Sequence, residues 1–226
     1  MAKIKFGMMM TDARGKLGGQ VFSKNKGGSY VRTKVTPSNP QTVAQSIARA
    51  LFSAISQGWS ALTEAQRLAW NSAVDSWKQT DVFGDLLAPT GKQLYQRLNN
   101  QAQSAGLAEV LNVPAKIRLP DDIVTASVIA IGAGTITNTG QHATANAQVM
   151  LFATPPLTAG TKFVKNRLRN IYNADGAAYS AADAYTAYVA KFGVPATGDN
   201  VYIAVKYVVS SGQATPRQSL KSSVVA

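Results

Sequence analysis

Apolar residues change their spacing twice along the chain, and the changes mark out three stretches. From the start to residue 36, short alternations of apolar and polar residues stand between glycines. Gly19-Gln-Val-Phe-Ser-Lys24 and Ser29-Tyr-Val-Arg-Thr-Lys-Val35 both follow the period of two that a strand imposes. Asn25-Lys-Gly-Gly28 between them supplies residues that tolerate positive φ in a tight turn. The pattern predicts a two-stranded ribbon. An isolated hairpin is marginal in water, so the ribbon needs a surface to lie on.

From residue 37 to 112 the period lengthens to that of a helix. Asn39-Pro40 puts a capping side chain before a proline at the first helical position, and Ile47, Leu51 and Ile55 then recur every four residues, which predicts a helix closed by Gly58. Thr63-Glu-Ala-Gln66 has the capping-box pattern and starts a second helix with Trp70, Val74 and Trp77 on one face. Thr90-Gly-Lys-Gln93 repeats the pattern ahead of Leu94, Leu98 and Ala102, with Gly106 as the stop. Trp59, Trp70 and Trp77 supply the core of this small unit.

Beyond the linker bracketed by Pro114 and Pro120, β-branched runs replace the helical period. Strands are predicted over Val124–Ile131, Ala147–Ala153, Lys162–Tyr172 and Val201–Val209, with turns at Pro155-Pro156, Asn173-Ala-Asp-Gly176 and Gly198-Asp-Asn200. One helix, Ala181–Ala190, interrupts them and ends before Gly193, and Ser210–Ala226 reads either as a last strand or as a mobile end. The fold expected is α+β: a basic β-hairpin arm over 1–36, a three-helix unit over 37–112, and an immunoglobulin- or fibronectin-like antiparallel β-sandwich with one inserted helix over 113–226.

Charge singles out the first stretch. The chain has 23 Lys+Arg against 11 Asp+Glu, a formal net charge of +12. Up to residue 36 only Asp12 opposes Lys3, Lys5, Arg14, Lys16, Lys24, Lys26, Arg32 and Lys34. Such a balance draws polyanions. The candidate partner-binding residues are Arg14, Lys16, Lys24, Lys26, Tyr30, Arg32 and Lys34. Cations interleaved with Phe22 and Tyr30 suit a strand that contacts nucleic acid through phosphates and stacking, and equally an arm that reaches an acidic neighbour in a lattice.

The search for catalytic chemistry assigns nothing. Cysteine is absent, which removes thiol nucleophiles, disulfides and Cys-based zinc sites. The single histidine, His142, sits in a polar stretch and reads as a solvated loop residue, and Asp121-Asp122 after Pro120 reads as a turn. Gly132-Ala-Gly134 lacks the third glycine and the following helix of a dinucleotide site. Gly84 to Gly91-Lys92 has six residues between its glycines and Gln93 where a phosphate loop needs Ser or Thr. The reading is a non-enzyme with no cofactor and no metal. No signal segment is recognised, and Ile123–Gly134, the longest apolar run, falls well short of the roughly 20 residues of a membrane helix.

The run Gly15–Arg32, Pro37-Ser-Asn-Pro-Gln-Thr42, Gln45, Arg49, Phe52 and Trp59-Ser-Ala-Leu-Thr-Glu-Ala-Gln-Arg-Leu-Ala-Trp70 together resemble a group of tailed-phage virion proteins. These share a glycine-rich basic start, an Asn-Pro-x-Thr helix start and a Trp-x-x-Leu-Thr…Gln-Arg-x-Ala-Trp helical pair. The resemblance covers residues 14 to 106 and implies a structural or accessory component of the head, the head–tail connector or the tail. Its implied partners are other virion proteins or copies of itself in a symmetric assembly. The alternative is a nucleic-acid-binding protein that compacts or escorts the genome.

Overall fold

The structure is a computed structural model and describes residues 2–8, 10–119, 126–139, 147–158, 160–161, 163–175 and 179–225. It is a mixed α+β fold. Its first element is a four-stranded antiparallel sheet of β1 (Ala2–Ile4), β2 (Gly15–Leu17), β3 (Gln20–Asn25) and β4 (Gly28–Thr33), in the order β1-β4-β3-β2. The hairpin β3–β4 turns through Lys26-Gly27, where Asn25 Oδ1 accepts from the Gly27 amide at 2.9 Å and Gly28 takes φ 103°. The predicted two-stranded ribbon is thus flanked by two further strands. Each is three residues long, too short to display an alternation in the sequence.

The helical unit comprises α1 (Val43–Ala61), α2 (Glu64–Ser72) with a 3-10 turn over Ala73–Trp77, and α3 (Gly91–Ser104). Both capping boxes form: Thr63 with Gln66 and Thr90 with Gln93 exchange side-chain and backbone hydrogen bonds at the helix starts. The Asn39-Pro40 start is corrected. Gln41 adopts φ 51°, a left-handed conformation that no helix can run through, so the cap falls to Thr42, whose Oγ1 accepts from the Gln45 amide. Asn39 instead accepts a hydrogen bond from Arg49 at 2.8 Å.

Gly58 does not close α1; the helix continues to Ala61. Glycine is needed there for close approach, because a Cβ would lie 2.6 Å from Glu109 Oε1 and 2.7 Å from the Tyr95 hydroxyl. Tyr95, Trp70, Leu94, Leu98 and Ile55 form the buried core. Trp59 and Trp70 pack against Tyr95, each with ring centroids at 5.5 Å, and Trp70 Nε1 donates to the Leu111 carbonyl. Between the 3-10 turn and α3, a minimal hairpin of β5 (Gln79–Thr80) and β6 (Leu86–Leu87) carries the tip Asp81–Asp85.

The C-terminal unit is a six-stranded sheet in the order β10-β9-β11-β12-β7-β8. Its strands are β7 (Ala126–Ala130), β8 (Thr135–Thr139), β9 (Ala147–Ala153), β10 (Arg169–Asp175), β11 (Val201–Val209) and β12 (Gln218–Val225). The described strands make one hydrogen-bonded run, where a sandwich has two facing sheets, and β12 pairs with β7 in parallel. Helix α4 (Ala181–Phe192) contacts both edge strands, β8 and β10. Six flat strands would span about 24 Å, about twice a helix diameter, so the sheet must curl around α4. Ala184 and Tyr188 of α4 are buried against Val149, Leu151, Ile203 and Ile129 from both halves of the sheet.

One strand assignment changes. The predicted strand Lys162–Tyr172 splits: Arg167 N bonds Val164 O across a turn, Val164 and Leu168 bury as anchors, and pairing begins at Arg169. It then runs to Asp175, through the predicted turn at Asn173. The strand expected over Val124–Ile131 is β7, with residues up to 125 outside the described ones. Strands β8 and β12 complete the sheet, so Ser210–Ala226 contains a strand. Gly132-Ala-Gly134 forms the β7–β8 turn, with Gly134 at φ 61°.

The sheet's other face meets the helical unit. Met150, Phe152, Val208 and Ala214 pack on Ala105 and Leu107 just past α3. A Cβ on Gly212 would collide with the backbone of Leu98, so the β11–β12 turn can approach α3 only as glycine.

Candidate functional site: the basic N-terminal sheet

The register of the N-terminal sheet decides where its cations point. Residues directly opposite one another share a face. Lys16, Val21 and Arg32 form one row, and Ser23, Tyr30 and Lys3 the next row of the same face. Gly15, Phe22, Val31 and Ala2 form a row of the opposite face, which Lys24, Ser29 and Ile4 continue. Three predicted partner residues, Lys16, Tyr30 and Arg32, therefore come together, while Lys24 stands on the apolar side. Lys26 occupies the hairpin turn, and Lys34 lies just past β4, its amide bonded to Gly19 O at 2.7 Å. Arg14 is set apart by its local ion pair with Asp12 at 3.2 Å.

Two cations that the sequence reading did not single out anchor the sheet. Lys3 Nζ reaches Asp81 at 2.8 Å and Lys5 Nζ reaches Asp85 at 2.8 Å, both on the β5–β6 tip, and Lys5 also stands over the Phe83 ring. The Asp81 side chain is only 8% exposed; its Oδ1 accepts from the Phe83 and Asp85 amides, and the Lys3 hydrogen bond above all holds its carboxyl below the usual range. The Asp85 carboxylate raises the Lys5 ammonium in turn. The sequence signal for this anchor was the pair of acids four residues apart around Gly84, within a short turn.

Lys16, Lys24, Lys26, Arg32 and Lys34 have no carboxylate within ion-pair distance among the described residues. Burial is equally one-sided. The first buried residue among the described ones is Ile55; nothing in the four strands, and nothing in the first three turns of α1, is buried. Phe22, Val31 and Ile4 are partly covered but not buried, and Val43, Ile47 and Phe52 of α1 are 76%, 64% and 53% exposed. Apolar side chains thus line a sheet face and the start of a long helix without a core beneath them.

The chemical candidates are quickly placed. His142 and Asp121-Asp122 lie outside the described residues. Among the described residues, no three His, Asp or Glu side chains group closely enough to hold a metal ion, and no helix is long and apolar enough to cross a membrane. Trp70 and Trp77 are buried in the helical core and Trp59 is packed on Tyr95. Gly91 starts α3 behind the Thr90 cap, in close contact with Asn71. No family model, no curated protein and no solved structure matches this chain.

Proposed function

We propose that this chain is a non-enzymatic structural or accessory protein of a phage particle, held in its assembly by the basic N-terminal sheet. One observation carries the reading: about a quarter of the chain, from β1 into α1, buries no described residue, yet presents apolar side chains and five cations without a carboxylate partner among the described residues. Folded sheets need an apolar face covered. In an assembly, a neighbouring subunit supplies that cover, and an acidic surface on it neutralises the cations. Repetition around a symmetric particle multiplies a contact that is weak in a single copy.

In this reading the helical unit is the rigid adaptor. The C-terminal sheet takes the part that immunoglobulin-like modules take on such particles, a displayed or neighbour-contacting body. The resemblance of residues 14–106 to tailed-phage virion proteins supports the same assignment.

The test is co-purification. The full chain should sediment with nuclease-treated, DNA-free particles of the phage that encodes it, and a chain lacking residues 2–36 should not. Absence of the full chain from purified particles overturns the reading; normal incorporation of the truncated chain removes the sheet from it.

A further inference from the structure

Where the helical unit meets the sheet, a cleft opens that contains no residue of the N-terminal sheet. Arg97 of α3, Lys116 of the linker and Lys78 line it, and among the described residues no carboxylate does. Lys78 is paired with Asp75 at 3.0 Å, whereas Arg97 and Lys116 are held in place by neutral partners. Lys116 Nζ donates to the Ser76 carbonyl at 3.0 Å and sits 5.8 Å from the centre of the Trp77 ring. Both terminal nitrogens of Arg97 reach Gln79 Oε1, at 2.8 and 3.1 Å, once the amide is oriented to accept them. Gln213, 5% exposed, clamps the linker: its Oε1 accepts from the Ile117 amide at 2.9 Å and its Nε2 donates to the Ala115 carbonyl at 2.8 Å. Lys116 is therefore carried on a fixed backbone.

The positive track continues past Pro216, which also lines the cleft. Arg217 lies over the Phe152 ring at 4.9 Å, and the strand register puts Lys221 on the same sheet face. Lys206 is half-buried beside Arg217, and burial first, then the Arg217 charge, lowers its ammonium below the ordinary lysine range. Neither has a carboxylate within ion-pair distance among the described residues. Two adjacent cations with no acid between them among the described residues are a standing deficit of negative charge.

We propose that this cleft binds the phosphate backbone of a nucleic-acid strand, with Arg97 and Lys116 gripping phosphates and Arg217 and Lys206 extending the track. Phosphates fit the fixed array of donors, and contacts to them carry no sequence information. An acidic protein fits less well. Protein interfaces centre on clustered apolar or aromatic anchors, whereas here Trp77 is buried, Phe152 lies beneath a guanidinium, and exposed Ile117 stands beside Arg97, Gln101 and Lys116 on the lining.

The experiment uses the full chain and fluorescence anisotropy of a labelled oligothymidylate of about 20 nucleotides, titrated at salt between 50 and 200 mM. Losing two single-strand contacts lowers the log–log salt slope by about 1.4. Wild type should therefore lose about sevenfold more affinity across that range than R97Q/K116Q. The charge-conserving R97K/K116R should keep the wild-type slope. If the double variant unfolds, R97Q alone, at an exposed position, should lower the slope by about 0.7. An unchanged slope in a folded R97Q/K116Q overturns the proposal. So does displacement of the oligonucleotide by polyglutamate at equal charge, which would make the partner an acidic protein, or by tripolyphosphate, which would make it a free phosphate compound.

Discussion

Gly58 offers a sharp test of how the helical core is built. Alanine is favoured over glycine inside a helix by about 1 kcal/mol, so on propensity alone Gly58→Ala should stabilise α1. The structure reverses the sign. A Cβ would lie 2.6 Å from Glu109 Oε1 and 2.7 Å from the Tyr95 hydroxyl, so the hydrogen bond between those two groups must break. A hydrogen bond to a charged group contributes about 1.5–3 kcal/mol. Subtracting the propensity gain leaves a net destabilisation of about 0.5–2 kcal/mol. Urea unfolding followed by tryptophan fluorescence and circular dichroism measures it, provided the slope with denaturant stays constant. The decisive comparison is the Y95F/E109A background, where hydroxyl and carboxylate are gone and the same Gly58→Ala change should stabilise by about 1 kcal/mol. If it destabilises both backgrounds equally, or stabilises the wild type, close approach is not why glycine stands at position 58.

Thr90→Ala removes the α3 cap and should lower stability by about 1 kcal/mol in urea titrations. Because the Lys3 bond depresses Asp81, the stability gained from this pair is fully present above the unfolded carboxyl value and lost as pH falls through the folded one; amide NMR signals of Phe83 and Asp85 should move there, and Lys3→Gln should shift that midpoint upward. The Tyr188 hydroxyl is buried without a hydrogen-bond partner among the described residues, and burial pushes it up to about 12; Tyr188→Phe should therefore be neutral or stabilising by about 1 kcal/mol in thermal melts, and a loss of stability would expose a hidden partner.

What the sequence revealed was local. Thr63 and Thr90 cap their helices because a capping box needs only residues three apart, and Gly106 and Gly193 stop theirs because positive φ, at 86° and 85°, is a property of one residue. Misreadings arose where a distant group decided the outcome. Gly58 looks like a stop signal until Tyr95 and Glu109 are placed beside it. Lys162–Tyr172 reads as one alternation, but Val164 and Leu168 are anchors of a turn. Of the candidate interface, the cationic character was plain, whereas its division into faces came from a register that only pairing sets. The cleft was invisible: Lys78, Arg97, Lys116 and Gln213 lie far apart in the sequence and are joined by packing alone.

The position of β12 shapes how the C-terminal sheet can form. It lies between β11 and β7, and Ser222, buried, bonds its hydroxyl to the Ser127 carbonyl 95 residues away. Without it the strands fall into two separate pieces, β10-β9-β11 and β7-β8, each with a bare edge facing the gap. Local hairpins can close early, but the seam waits for a pairing of long range in parallel register, the slow class of folding event. A chain caught before that step offers a slot shaped for its own β12. A second copy's β12 would fit the same slot, so strand exchange between chains is the misfolding expected of this topology at high concentration.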